Sequence, residues 1–402
     1  MAAFLILLVS LFLRTEAGQH HFVPPQLQFT GQVPQRLYST AHAQAHAEAH
    51  AQSQSHAQSH QQNLLIPTFQ LEQHLVPQKI TPDELVEEEW KEFKLAFRKV
   101  YATEEVEKLR KEIFIENRAK IARFNQDFSQ GHKNFVQRIN AFGDMLSHEF
   151  NANVNGFNRS TVSQQTAAVD TSSTFIPSAN VPFPESIDWR QLGAVSSVKN
   201  QQMCAGCWAY AAAGALEGQQ FRKTGKLTEI SVQNLLDCTR PYGNEGCEGG
   251  LMDPAFQYIK DNKGVDGEES YPLEGTENKC RFRRDAAVAT TTGFVDIAQG
   301  DEKGLEIAVA TLGPVTAAID ASRDTLQFYS DGVYYDPECG SKPEEMNHAV
   351  LIVGYGVEPN GQKYWLVKNS YGSEWGIGGY IKMIKDVGNH CGIATQASFP
   401  LV

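Results

Sequence analysis

All seven cysteines of this 402-residue chain lie between positions 204 and 391, so covalent cross-linking is confined to its C-terminal half. In an oxidising compartment an odd count leaves one thiol either for an intermolecular bridge or for chemistry. The compartment is read from the N-terminus. Positions 2–13 form an apolar run too short to span a bilayer comfortably, and Thr15 and Ala17 put small residues where a signal peptidase needs them. Positions 1–17 are therefore read as a signal peptide, although the only nearby basic residue, Arg14, follows the apolar run instead of preceding it. No later stretch reaches about 18 apolar residues, so no membrane span is expected.

Composition divides the remainder. Positions 18–82 carry few charges and many Gln, His, Ala and Ser, too little apolar surface to offset the entropy of ordering, and are read as disordered. His42, His46, His50, His56 and His60 recur there mainly at steps of four. On a helix they would share a face able to hold Zn²⁺ or Cu²⁺, but a low-complexity insert is the simpler reading, and no metal or cofactor is assigned. Positions 83–156 are charged and helical in period. Positions 157–182 form a Ser/Thr/Ala-rich linker with a glycosylation sequon at Asn158. Positions 183–402 hold every cysteine, with 29 Asp and Glu against 19 Lys and Arg. That acidic surface disfavours nucleic acid as a partner and suits an acidic compartment.

The odd thiol is best sought at Cys207, in the run Gln201-Gln202-Met203-Cys204-Ala205-Gly206-Cys207-Trp208. The thiolate is the nucleophile, so its site must hold a cation or a helix N-terminus beside the sulfur. Positions 209–222 are rich in Ala, Leu, Glu and Gln and stop before Gly225, which is a helix with a basic last turn. Cys207 opens that helix, where the backbone dipole favours negative charge. His348 lies 141 residues on and Asn369 beyond it. Positions 349–355 and 363–368 are β-rich and joined by a Pro-Asn-Gly turn, so a hairpin places His348 and Asn369 at the same end, with a third strand over 379–385. Cys204 and Cys207 also form a CxxC pair, but a redox or metal role would need a βαβ context that the Ala-rich helix does not supply.

A Cys, His and Asn at these separations, within positions 183–402, resembles the mature domain of a papain-family cysteine peptidase of the cathepsin L type. The resemblance implies an α+β, papain-like two-lobed fold, with a helical lobe carrying Cys207, a β-rich lobe carrying His348, and a cleft between them. It implies Cys207 as nucleophile, His348 as imidazolium partner and acid/base, Asn369 as its orienter, and Gln201 as side-chain donor of the oxyanion hole. Of the many pairings open to the other six cysteines it selects Cys204 with Cys247, Cys238 with Cys280, and Cys339 with Cys391. Gly249 and Gly250 match the glycine pair along which substrate backbone lies. Leu251, Met252, Ala318, Met346, Ala349 and Gln396 would line the S2 pocket, favouring a bulky apolar P2 residue, with Gln396 broadening the preference.

Several positions depart from the family pattern. Gln202 and Ala205 stand where glycines are usual, so Ala205 would be strained if its site requires positive φ. Gly206 replaces Ser, Asn347 replaces Asp, and Tyr371 replaces the Trp after Asn369-Ser370. A phenol covers less than an indole, so the Cys207–His348 pair is expected to be more solvated.

In the second zone, Trp90, Phe93, Phe97 and Tyr101 recur at helical spacing, as do Arg110, Phe114, Asn117, Ile121 and Asn125, giving two amphipathic helices. The second series resembles the ERFNIN pattern of the family's propeptides, with Val106 in place of its first Glu. Asn140, Phe142 and Asp144 match a further propeptide motif, with Arg138 in place of its Gly. The resemblance implies an inhibitory prodomain over 83–156, removed at acid pH, and an endopeptidase acting through an acyl-enzyme thioester on proteins and peptides. A monomer in the secretory pathway, lysosomal or secreted, is expected. A catalytically weak homologue serving as a binding or structural matrix protein is the alternative.

Overall fold

The computed structural model describes residues 81–157, 173–177 and 182–402. The signal peptide, the His-rich insert and the Asn158 sequon lie outside the described residues.

The prodomain begins with helix α1 (Pro82–Ala96), whose start is written in the sequence: Thr81 caps the Glu84 amide, Glu84 reaches back to the Thr81 amide, and Pro82 fills the first turn. Its Trp90 and Phe93 pack on Phe114 of helix α2 (Glu104–Ser129), with ring centroids 5.3 and 4.9 Å apart. Arg110, Asn117 and Asn125 share a face of α2 and bind the chain returning beneath it. Arg110 donates to the Asp144 carbonyl and to Glu149, Asn117 to the carbonyls of Gly143 and Met145, and Asn125 exchanges two hydrogen bonds with the Gln137 backbone. These polar side chains satisfy backbone groups that burial would otherwise orphan. A third helix, α3 (Ser147–Val154), has only Phe150 and Val154 as buried apolar residues, a stripe too thin for periodicity to reveal.

Strand β1 (Phe135–Gln137) separates α2 from α3, and the linker contributes β2 (Ser173–Thr174). The cysteine-bearing region continues with β3 (Ile187–Asp188), helices α4 (Cys207–Thr224), α5 (Val232–Cys238) and α6 (Met252–Asn262), and strands β4 (Val265–Asp266), β5 (Ala287–Ala289) and β6 (Gly293–Asp296). Helix α7 (Glu302–Leu312), β7 (Val315–Ile319), the short α8 (Asp324–Gln327) and β8 (Tyr329–Tyr334) follow, then β9 (His348–Val357), β10 (Lys363–Lys368), β11 (Tyr380–Ile384) and β12 (Ala397–Leu401). The main sheet runs β1-β8-β11-β10-β9-β7-β12-β6-β2, with β3 also on β9. Both outer positions are thus filled by segments that precede residue 183. Strand β1 pairs antiparallel with β8, and β2 parallel with β6, so the prodomain and linker cover edges that would otherwise present unpaired backbone.

Helix α4 is buried on nearly every side, which explains its Ala and Gly content. A Cβ on Gly214 would come within 2.7 Å of Leu351 Cδ2, so glycine lets the helix lie against β9. Gly225 ends it at φ 72°, donating to the Phe221 carbonyl. Disulfides join Cys204 to Cys247, Cys238 to Cys280 and Cys339 to Cys391, and Cys207 is the free cysteine. The condition for strain at Ala205 is not met. Ala205 is not left-handed, whereas its neighbour Gln202 has φ 52°, a conformation supported by its amide donating to Asn200 Oδ1 at 2.8 Å.

Candidate active site

Helix α4 brings Cys207 to the junction of the lobes as its first residue. The amide of Ala349, the second residue of β9, donates to Cys207 Sγ at 3.3 Å, so the sulfur lies beside the strand that starts with His348. Pairing of β9 with β10 brings His348 and Asn369 together, with His348 Nε2 2.8 Å from Asn369 Oδ1. The same oxygen accepts the Ser370 amide at 2.8 Å, which identifies it as the acceptor. His348 Nε2 therefore carries the proton, and Nδ1, buried without a hydrogen-bond partner, holds the free lone pair.

Gln201 is buried and held from two sides. Its amide donates to the Ser370 carbonyl at 2.8 Å and its Oε1 accepts the Ser370 hydroxyl. This leaves Nε2 to donate to the Val154 carbonyl at 2.7 Å and the Cys204 carbonyl at 3.0 Å. Sequence reading overlooked Ser370, which fixes Asn369 through its amide and Gln201 through its hydroxyl and carbonyl. Its adjacency to Asn369 was the available signal.

The prodomain chain leaves α3 at Val154 and threads the cleft. The Gly250 amide donates to the Gly156 carbonyl at 2.9 Å, and the Phe157 amide to the Asn347 carbonyl at 3.0 Å. Glycine is required on both sides of this crossing. A Cβ on Gly156 would lie 1.7 Å from the Ala205 carbonyl oxygen, and one on Gly250 2.6 Å from Asn244 Oδ1. Gly249, at φ 123°, turns the chain into this approach. Phe157 is buried in one cluster with Met252, Ala318, Met346 and Ala349, with Leu251 packed against it, and Gln396 lines the adjoining cavity with Leu251 and Met252. The eight residues expected to hold substrate are therefore gathered around residues 156–157 of the prodomain.

Tyr371 stacks on His348 with centroids 4.7 Å apart and planes 28° apart. Phe142, Phe150 and Trp375 surround it edge-on, leaving it 2% exposed. The expected extra solvation of the imidazole is thus absent in the proenzyme, because prodomain rings complete the cover. Burial also reverses the expected ionisation. Loss of solvent pushes the Cys207 thiol up to about 11, partly offset by backbone amides of Ala349 and Gly156, and pushes His348 down to about 4 against the opposing hydrogen bond to Asn369. Under the prodomain, loss of solvent therefore favours the uncharged form of both groups.

Comparison with known proteins places this geometry. Residues 183–401 match the model of the papain family cysteine proteases, and residues 90–150 that of the cathepsin propeptide inhibitor domain. The chain is 53% identical over 321 residues to a cathepsin L-like peptidase of Aedes aegypti, covering 79% of this chain and 94% of the relative. It is 50% identical over 323 residues to procathepsin L of Mus musculus, covering 80% and 93%. Among solved structures, digestive procathepsin L 3 from the larval midgut of Tenebrio molitor superposes with a TM-score of 0.73 at 44% identity, over 79% of this chain and 99% of that one.

Proposed function

The chain belongs to the papain family of cysteine proteases, as a proenzyme of cathepsin L type, and from that premise we propose that Cys207, His348, Asn369 and Gln201 carry its peptide-bond hydrolysis. His348 Nδ1 takes the Cys207 proton, and the sulfur attacks the scissile carbonyl carbon. The carbonyl oxygen becomes an oxyanion facing Gln201 Nε2 and the Cys207 amide. Collapse breaks the C–N bond, the imidazolium protonates the leaving amine, and a thioester remains. Water activated by His348 then attacks the thioester, releasing the acid and restoring the thiol. One oxyanion donor is worth about 2.7–4 kcal/mol of barrier.

The observation that carries the reading is the segment 154–157 itself. The Val154 carbonyl sits 2.7 Å from Gln201 Nε2, where a substrate oxyanion would form, and Phe157 fills the apolar pocket assigned to P2. Asn155, bonded to the Tyr371 that stacks on His348, lies toward the side where the leaving amine is protonated. The prodomain thus passes the leaving-group side before the P2 pocket, the reverse of a substrate, and presents no bond in the reactive direction. Phe157 also supports a bulky apolar P2 preference. A role limited to binding or matrix structure is disfavoured by the intact constellation.

The signal-like N-terminus and three disulfides support passage through the secretory pathway to a lysosomal or extracellular destination, and among the described residues no helix is long and apolar enough to cross a membrane. The test is acid activation followed by an epoxide inhibitor of cysteine peptidases. Covalent label on Cys207, with self-processing at pH 4–5 by wild type and none by Cys207→Ala, is expected. Processing of the isolated variant, or label elsewhere, contradicts the assignment.

A further inference from the structure

Tyr371 does more than cover the imidazole. Its hydroxyl donates to Asn155 Oδ1 at 2.8 Å, while Asn155 Nδ2 donates to the Ala321 carbonyl at 3.2 Å and to Asn151 Oδ1 at 2.9 Å. Asn151 departs with the prodomain, but Tyr371 and Ala321 belong to the enzyme. One carboxamide is therefore held between an enzyme donor and an enzyme acceptor. Both are fixed. Tyr371 is locked by its ring contacts, and the Ala321 amide donates at 2.8 Å to Oδ1 of Asn347, the residue before His348. A phenol ordinarily titrates near 10, so Tyr371 stays a donor at acid and neutral pH with or without the prodomain over it.

The place of this clamp follows from the chemistry. His348 must reach the leaving nitrogen, which belongs to the residue after the scissile bond, and Tyr371 is stacked on His348. We propose that the space vacated by Asn155 is a carboxamide-reading S1′ subsite, in which the Tyr371 hydroxyl and the Ala321 carbonyl select Asn or Gln at P1′. A leucine of similar shape leaves both polar groups unpaired on binding. A carboxylate accepts from Tyr371 but sets its charge against the Ala321 carbonyl. Discrimination of this kind arises when a site built to hydrogen-bond one group meets an analogue lacking it. The inference rests on the assignment of His348 as the proton donor to the leaving amine.

The experiment uses enzyme matured from the full chain and quenched peptides alike except for Asn, Gln, Leu or Asp at P1′. Wild type is expected to favour Asn or Gln over Leu by about 10-fold in kcat/KM, with Asp lowest. Tyr371→Phe should bring the Asn-to-Leu ratio, taken within that variant, to about 2-fold or less. Equal wild-type rates for Asn and Leu, or a preference that survives Tyr371→Phe, overturns the proposal. If no peptide is cut and the epoxide leaves Cys207 unlabelled, the underlying site assignment fails, and this subsite with it. A second measurement does not need turnover. In a Cys207→Ala background, prodomain release is followed by its cleavage with added pepsin at pH 4. Asn155→Leu and Tyr371→Phe should each accelerate release, and the pair should do little more than either alone. Fully additive effects show that the two side chains do not act on each other, which overturns the clamp.

Discussion

The described residues 81–157, which span the prodomain, contain no cysteine and keep one small aromatic nucleus of their own, Trp90, Phe93 and Phe114. Residues 182–402 hold three disulfides and two large buried clusters. Phe135, Phe142, Met145, Phe150, Val154 and Phe157 join the enzyme's clusters, while Ile113 and Ile121 are buried outside them. The prodomain therefore ends up well packed only while docked. One half is cross-linked and packed on itself, and the other depends on it for most of its burial.

The comparison is broken most severely at Trp90. It stacks on Phe93 and Tyr101 and sends its indole N–H toward Glu107 at 3.4 Å. Trp90→Ala should cost about 3–5 kcal/mol, most of what a nucleus this small can supply. Peptidase activity should appear at pH 7 without acid treatment, while the thermal midpoint of the matured enzyme stays at the wild-type value. A latent variant would mean that docking contacts, not the aromatic nucleus, hold the prodomain.

The opposite half is probed by removing the Cys238–Cys280 bond, which ties α5 to the loop before β5 across 42 residues. Replacing both cysteines by Ala should lower stability of the matured enzyme by about 2–4 kcal/mol, read as a fall in denaturant midpoint. Latency of the proenzyme at pH 7 should persist, because among the described residues no side-chain hydrogen bond, ion pair or ring contact joins that loop to the prodomain.

What was readable in the sequence differs along the same divide. The hairpin of β9 and β10, the Cys207 helix and its Gly225 stop rest on local period, caps and turns, which a single chain displays. The pairing of β1 with β8 rests on contact between Phe135 and Gly332, nearly 200 positions apart, and three residues of strand carry no periodic signal. The same holds for the ionisation of Cys207. Its helix N-terminus is visible in the sequence, but the Val154, Gly156 and Phe142 segments that dry the site are not. Gln202, and not Ala205, takes the left-handed turn because the Asn200 side chain supports it there, a local contact no residue pattern announces.

Acid should act chiefly on the weaker half. Glu149, paired with Arg110 at 2.7 Å, has its carboxyl held below the usual range, first by that hydrogen bond and further by the Leu146 amide. Both groups belong to the prodomain, so the depressed carboxyl stabilises its fold, and through the fold its docking, above the ordinary value, and that stabilisation is lost as pH falls through the lower folded value. His348 adds in the same direction. Its docked value of about 4 lies below the ordinary 6.5, so a proton is gained on opening, and acid favours opening increasingly below pH 6.5 until about 4. Arg110→Gln should weaken docking at pH 7 by roughly 1 kcal/mol, given the partial exposure of the pair, and flatten the acid dependence of release below the ordinary carboxyl range. Release rates measured in the Cys207→Ala background check both. An unchanged slope would assign the acid response to other groups, His348 first.

The smallest effect is expected at Gln396, which lies at the rim where the prodomain's Phe157 meets Leu251 and Met252. Its carbonyl accepts the Ala318 amide at 2.8 Å, so β7 fixes the backbone that carries this side chain. Met252, Ala318, Met346 and Ala349 on the pocket's inner side are apolar, and Phe157, buried in the same cluster, shows that an aromatic ring fits there. A polar P2 group would lose its water there unless Gln396 replaces the lost hydrogen bonds, and a neutral hydrogen bond restores about 0.5–1.5 kcal/mol. Gln396→Ala should therefore lower kcat/KM for polar P2 residues by about 3- to 10-fold and leave Phe and Leu at P2 nearly unchanged. A P2 library gives both numbers at once. If the variant's profile overlays that of wild type, Gln396 does not broaden the preference, and the selectivity of the pocket belongs to the apolar residues that Phe157 now covers.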